Sequence, residues 1–153
     1  MKLKRMVATI LVAISMVSSL CIPASAINSD DTSHYYYWSN SVGRYKYTDT
    51  RKKEDLSGVY MHVTDDSLPY GGFYAATFYG TKSSNATSWA SASEYLVNDY
   101  RYYVIRSNGT STSMKNKYVR IRGHYKATKY SWGDCTIVWS PDTTSQSGLV
   151  YLN

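Results

Sequence analysis

A two-residue alternation of apolar and polar side chains, broken at intervals by turn residues, limits this chain more than any other feature. Between Lys117 and Tyr125, Val119 and Ile121 point one way while Arg120, Arg122 and His124 point the other. Successive side chains of an extended strand face opposite sides, so the pattern is that of a half-buried strand and not of a helix. Tyr45 and Tyr47 alternate with Arg44, Lys46 and Thr48, and Val59, Met61 and Val63 alternate with Tyr60, His62 and Thr64. Cys135, Ile137 and Trp139 repeat the period against Thr136 and Val138. Phe73 to Tyr79 is apolar almost throughout and predicts a central strand; Tyr100 to Arg106 and Leu149 to Leu152 predict two more. Trp89 to Val97 fits two periods: Trp89, Ala92 and Leu96 have helical spacing behind a capping Ser88, whereas Ala90 and Ala92 alternate as in a strand. The neighbouring strands favour the second.

Turn chemistry separates these runs. Asp65 to Gly72 holds Pro69, Gly71 and Gly72, Asn108-Gly109 is a hairpin signal, and Ser140-Pro141-Asp142 ends a strand. The charged stretch Asp49 to Asp55 reads as a solvated loop, and Lys82 to Thr87 as a polar one. Together these runs predict an all-β chain: a single antiparallel β-sandwich or barrel-like domain of about seven or eight short strands.

A leader is expected ahead of that domain. Lys2, Lys4 and Arg5 precede an uncharged run from Met6 to Ile22, and Pro23 and the small residues Ala24-Ser25-Ala26 close it. This is the layout of a secretory signal peptide cleaved after Ala26, leaving residues 27–153 as one secreted β domain. Without the leader, the net charge of +6 falls to +3, too mild to call for a nucleic-acid partner. Cys135 becomes the one cysteine of the mature chain, so no disulfide framework forms, and a lone thiol of this kind usually packs as a small hydrophobe. All 17 tyrosines lie in the mature part, against two phenylalanines. Tyrosine suits faces that are half buried and half wet.

Signatures of catalysis are missing. No nucleophile elbow is present, and Cys135 with His34, His62 or His124 matches no cysteine-protease pattern. The histidines are too scattered for a zinc motif, and Asp30-Asp31 and Asp65-Asp66 read as exposed acids without an EF-hand loop. Glu54 and Glu94 are the sole glutamates, and nothing selects a glycosidase pair. Neither a metal nor a cofactor is implied. Asn85-Ala86-Thr87 and Asn108-Gly109-Thr110 match the glycosylation acceptor pattern but are not counted as modified.

Two features remain as binding candidates. The first is the stripe Tyr118, Arg120, Arg122 and His124, supported by Lys115, Lys117, Lys126 and Lys129. Alternate residues of a strand share a face, so these side chains can meet an anionic polymer; the structural alternative is arginines stacked on neighbouring tyrosines. The second is the run Tyr35-Tyr36-Tyr37-Trp38, whose rings, with Tyr36 and Trp38 as the candidates, can stack on sugars or pack as an edge strand.

Val119-Arg120-Ile121-Arg122-Gly123 and Ile137-Val138-Trp139-Ser140-Pro141-Asp142-Thr143 resemble segments of small secreted proteins of Gram-positive bacteria grouped as a domain of unknown function. The resemblance covers about the last 40 residues, implies an exported bacterial protein of sheet type, and carries over no catalytic or binding residue. The expected function is therefore that of a secreted, non-catalytic binding or surface-associated protein. Its basic and aromatic strand face would contact anionic wall polymer, glycan or a membrane surface. No specific protein partner follows from the sequence. The alternative is an exported, bacteriocin-like or toxin-like antimicrobial protein.

Overall fold

The computed structural model describes residues 29–39, 44–68, 72–98, 101–107, 114–126, 132–143 and 147–153. Strands form where the alternation is strongest. The eleven among the described residues are β1 (Thr32–Trp38), β2 (Tyr45–Tyr47), β3 (Arg51–Lys52), β4 (Val59–Asp66), β5 (Phe73–Gly80), β6 (Ser88–Trp89), β7 (Tyr95–Val97), β8 (Tyr102–Ile105), β9 (Tyr118–His124), β10 (Gly133–Ser140) and β11 (Leu149–Leu152). A 3-10 turn at Ser83–Asn85 lies between β5 and β6. Seven of the strands have four residues or more; the other four are short pieces along two broken sheet edges. The ambiguous segment after Ser88 is two such pieces, β6 and β7, with bends between them.

Sheet A runs β1-β10-β4-β8-β11. Sheet B is built on β9 and β5, with β2 and β3 along the far side of β9 and β6 and β7 along the far side of β5. Pairing is antiparallel except between β11 and β8, which run parallel. No described strand of one sheet pairs with a strand of the other, so this is a sandwich and not a closed barrel. Tyr36, Trp38, Met61, Val63, Phe73, Ile121, Ile137 and Trp139 fill the space between the sheets, and buried Cys135 packs among them. The strands on either side of Asn108-Gly109 lie in different sheets, β8 in A and β9 in B, so they form no hairpin; residues 108 and 109 are outside the described set. A turn dipeptide signals a reversal of the chain but not which strand pairs with which.

Both edges of sheet B break at one level. Thr77 and Ile121 face each other in the β5–β9 ladder. On one side, Thr48 donates its N–H to Ile121 O at 3.0 Å and accepts the Ile121 N–H on Oγ1 at 3.0 Å. On the other, Ala90 N–H reaches Thr77 O at 2.9 Å while Ser91 Oγ accepts the Thr77 N–H at 3.2 Å. Hydroxyls thus replace the backbone groups of a continuous edge strand, and interrupted edges resist the addition of a foreign strand.

The charged stretch Asp49 to Asp55 is not the solvated loop its composition predicts. Arg51 and Lys52 form β3 against β9, and the side chain of Lys53 is completely buried. Its Nζ donates to Asp142 Oδ1 at 2.8 Å, Pro141 O at 2.8 Å, Asp55 Oδ1 at 3.0 Å and Ser57 Oγ at 3.3 Å. Asp142, also fully buried, accepts the N–H of Glu54 at 3.0 Å and of Asp55 at 3.3 Å. The charges are buried because they are paired and hydrogen-bonded together. Thr143 completes the clasp, its Oγ1 donating to Gly58 O at 2.7 Å. The Ser140-Pro141-Asp142-Thr143 segment therefore fastens the entry to β4 onto the end of β10.

Candidate functional site

The outer face of sheet B follows from strand register. Tyr118, Arg120, Arg122 and His124 alternate with the buried Val119, Ile121 and Gly123, so they project away from the core. Tyr45 and Tyr74 flank His124, Tyr47 and Ala76 flank Arg122, and Phe78 lies opposite Arg120, with Trp89 beyond it. Ala76 is too small to prop up the side chain beside it, so the Arg122 guanidinium lies down among rings. It sits 4.5 Å from the centroid of Trp89, 4.6 Å from Tyr45 and 4.7 Å from Phe78. Arg120 lies 4.0 Å from the Tyr47 centroid and Lys126 3.7 Å from that of Tyr74. Each such contact is worth about 0.5–1 kcal/mol when exposed and about 2 kcal/mol when desolvated. The rings stay open to solvent on top: Tyr45 is 51% exposed, Trp89 44% and Tyr47 37%.

Glu94, in the break between β6 and β7, organises the charge beneath. Arg122 Nη2 donates to its Oε1 at 2.7 Å, His124 Nδ1 lies 2.9 Å from Oε1 and 3.1 Å from Oε2, and Lys126 Nζ is 3.4 Å from Oε2. Partial burial works to raise the Glu94 pKa, but the hydrogen bond and charge of His124, the charge of Arg122 and the hydrogen bond of Lys126 outweigh it and hold it below the usual carboxylate range. Arg120 belongs to none of these ion pairs. Its Nε is buried without a hydrogen bond.

The structure brings Tyr118, Arg120, Arg122 and His124 onto one face, as their spacing predicts. The stacking of arginines on tyrosines, the structural alternative, is also present. Lys126 joins the face, whereas Lys117 has the parity of the buried residues, its backbone O accepting from Lys53 N–H at 2.8 Å. Lys129 lies outside the described residues, as does the expected leader. Tyr36 and Trp38 require a correction as surface candidates. They are 1% and 2% exposed, stacked at 5.2 Å within the core, with the Tyr36 hydroxyl donating to Ile121 O at 3.1 Å. Burial pushes the Tyr36 pKa well above the ordinary phenol value. The exposed members of that run are Tyr35 and Tyr37, on the outer face of sheet A and away from the Arg120 face.

Tyr45, Tyr47, Phe78, Trp89 and Glu94 complete the face and were not among the sequence candidates. The alternation of Tyr45 and Tyr47 was legible, but only strand pairing places them beside Arg120 and Arg122. Of the histidines considered as partners for Cys135, His34 stands on β1 opposite Ile137, two residues along from the Tyr36–Cys135 pair, and the other two lie elsewhere. His62 stacks on Tyr102 at 4.1 Å on the outer face of sheet A, Cys135 is in the core, and His124 is on sheet B. Among the described residues no three His, Cys, Asp or Glu side chains gather as a metal-binding group, and no helix is long and apolar enough to cross a membrane.

Residues 22–143 match the model of a family described as protein of unknown function (DUF2712). The match spans most of the chain, which therefore belongs to that family. No curated protein and no solved structure matches.

Proposed function

We propose that this member of the DUF2712 family is a secreted, non-catalytic binding module that attaches to a sugar-containing polymer of the cell envelope through the outer face of sheet B. One observation carries the reading: Tyr45, Tyr47 and Trp89 are exposed on a single face while Arg120 and Arg122 brace them from within. A ring fixed before binding loses little freedom when a ligand arrives, so more of the contact energy appears as affinity. The π-face is electron-rich and the C–H face of a pyranose is its complement, which suits stacking. Secretion is supported by the basic, apolar and small-residue succession of residues 1–26.

Co-sedimentation of the purified mature protein with insoluble wall material tests this. Retention should fall when Trp89 or Tyr47 becomes Ala and persist for Tyr37→Ala on the other sheet. Equal retention of all variants would reject the face. Failure to sediment, accompanied by vesicle leakage or growth inhibition, would favour the antimicrobial alternative.

A further inference from the structure

The cations of this face are not equivalent. Arg122, Lys126 and the His124 ring converge on Glu94, whose single carboxylate offsets one of the charges around it. Arg120 stacks on Tyr47 and has no carboxylate partner among the described residues. With Nε buried, it is the pair of Nη groups of the stacked guanidinium that can take a carboxylate in bidentate fashion, in the plane of the fork. Register also places Arg120 in one row with Phe78 and Trp89. Two strand spacings separate the Arg120 and Trp89 backbones, about 10 Å, and both side chains are long.

From this we infer that Arg120 reads an anionic substituent and that the polymer is an acidic polysaccharide. A sugar ring rests on Trp89 while the carboxylate of a uronic-acid unit pairs with Arg120. The assignment rests on the binding reading above and adds charge selection to it. Charge complementarity selects the occupant: the permanent cations Arg120, Arg122 and Lys126 outnumber Glu94 in their midst. A neutral glycan would use the rings and leave Arg120 unanswered. A carboxylate attached directly to a pyranose lies near the plane of the sugar, within reach of a guanidinium beside the ring on which that sugar is stacked.

Affinity electrophoresis of the mature protein through polygalacturonate, and through the same polymer fully methyl-esterified, separates the two contributions. Wild type should be retarded more by the acidic form, and added salt should reduce that excess because exposed charges are screened. Arg120→Gln should weaken binding to the acidic polymer roughly tenfold more than binding to the ester, the excess being the size of one charge-assisted contact and the shared part the lost bracing of Tyr47. Trp89→Ala should weaken both. Thermal melts confirm that the variants are folded, and Arg120→Lys, which keeps the charge but not the planar fork, should recover only part of the loss. Equal binding of both polymers by wild type, or an Arg120→Gln variant that prefers the acid as strongly as wild type does, overturns the role of Arg120. If Trp89→Ala still weakens binding in that case, the binding face itself survives. If neither polymer retards the wild type, the inference falls; undiminished sedimentation of Trp89→Ala with wall material would remove the face as well.

Discussion

Replacing Lys53 by Met gives the sharpest test of the architecture, because composition and structure make opposite statements about this residue. As part of a solvated charged loop, Lys53 would be replaceable within about 0.5 kcal/mol. In the structure, Lys53→Met leaves Asp142 completely buried, holding the Glu54 and Asp55 N–H groups but without the ammonium that neutralises it. Removing one partner of a buried pair typically costs about 3–5 kcal/mol, a large share of the 5–15 kcal/mol that holds a domain of this size together. The two single replacements should differ. Asp142→Asn leaves Lys53 a second counter-ion, Asp55 at 3.0 Å, along with Pro141 O, so its cost should be smaller, about 1–3 kcal/mol. The double variant should lose about 1–3 kcal/mol less than the sum of the single losses, since the charge left alone by each replacement is then gone. Urea unfolding followed by the fluorescence of buried Trp38 and Trp139 measures all three. A Lys53→Met protein as stable as wild type, or strict additivity in the double variant, would refute the buried pair.

Three further outcomes follow from the packing. Gly123→Ala would place a Cβ 2.9 Å from Trp38 Cζ2 and 3.3 Å from Tyr36 Cζ, so the stacked rings must shift; the expected loss is about 1–3 kcal/mol, read by denaturant unfolding. Thr48→Val removes the acceptor of the Ile121 N–H at the sheet-edge break and should cost about 1–3 kcal/mol in the same assay. Burial works to raise the Asp55 pKa, but the hydrogen bonds it accepts from Ser57 and Lys53 outweigh it and lower the value to about 2. Because the folded-state pKa is depressed, the unfolded chain binds this proton first; the stabilisation is full above about pH 4 and is lost as pH falls toward 2. Acid unfolding monitored by near-ultraviolet circular dichroism should show that dependence, and Asp55→Asn should flatten it.

The sequence made the strands and their faces legible because parity is a local property. Val119 and Ile121 against Arg120, Arg122 and His124 assign β9 without any knowledge of its neighbours. Pairing is not local. Tyr47 stacks with Arg120, and Ser91 plugs the ladder at Thr77, through contacts between segments that carry no mark of one another. The run Tyr35 to Trp38 defeats parity for another reason: when every position is aromatic, either phase offers an apolar face, and only pairing with β10 turns Tyr36 and Trp38 inward. Lys53 and Asp142 were hidden because a buried charge looks like an exposed one until its partner is known. The parallel pairing of β11 with β8 has no compositional sign either.

Strand β9 links the resemblance to the family with the proposed site. Val119, Ile121 and Gly123 face inward, and Gly123 leaves the space that the Trp38 and Tyr36 rings occupy. Arg120 and Arg122 face outward from the same backbone and brace the exposed rings. Pleating prevents the two sets from moving independently, since any slip of one residue would exchange them completely. The register that closes the core is therefore also the register that places Arg120 beside Tyr47 and opposite Phe78. The other segment of resemblance, ending in Asp142 and Thr143, clamps the chain before β4 and touches no ring of the face. The two segments thus build the frame, and what the proposed face would select depends on the residues on β9's outer side and on the strands flanking it.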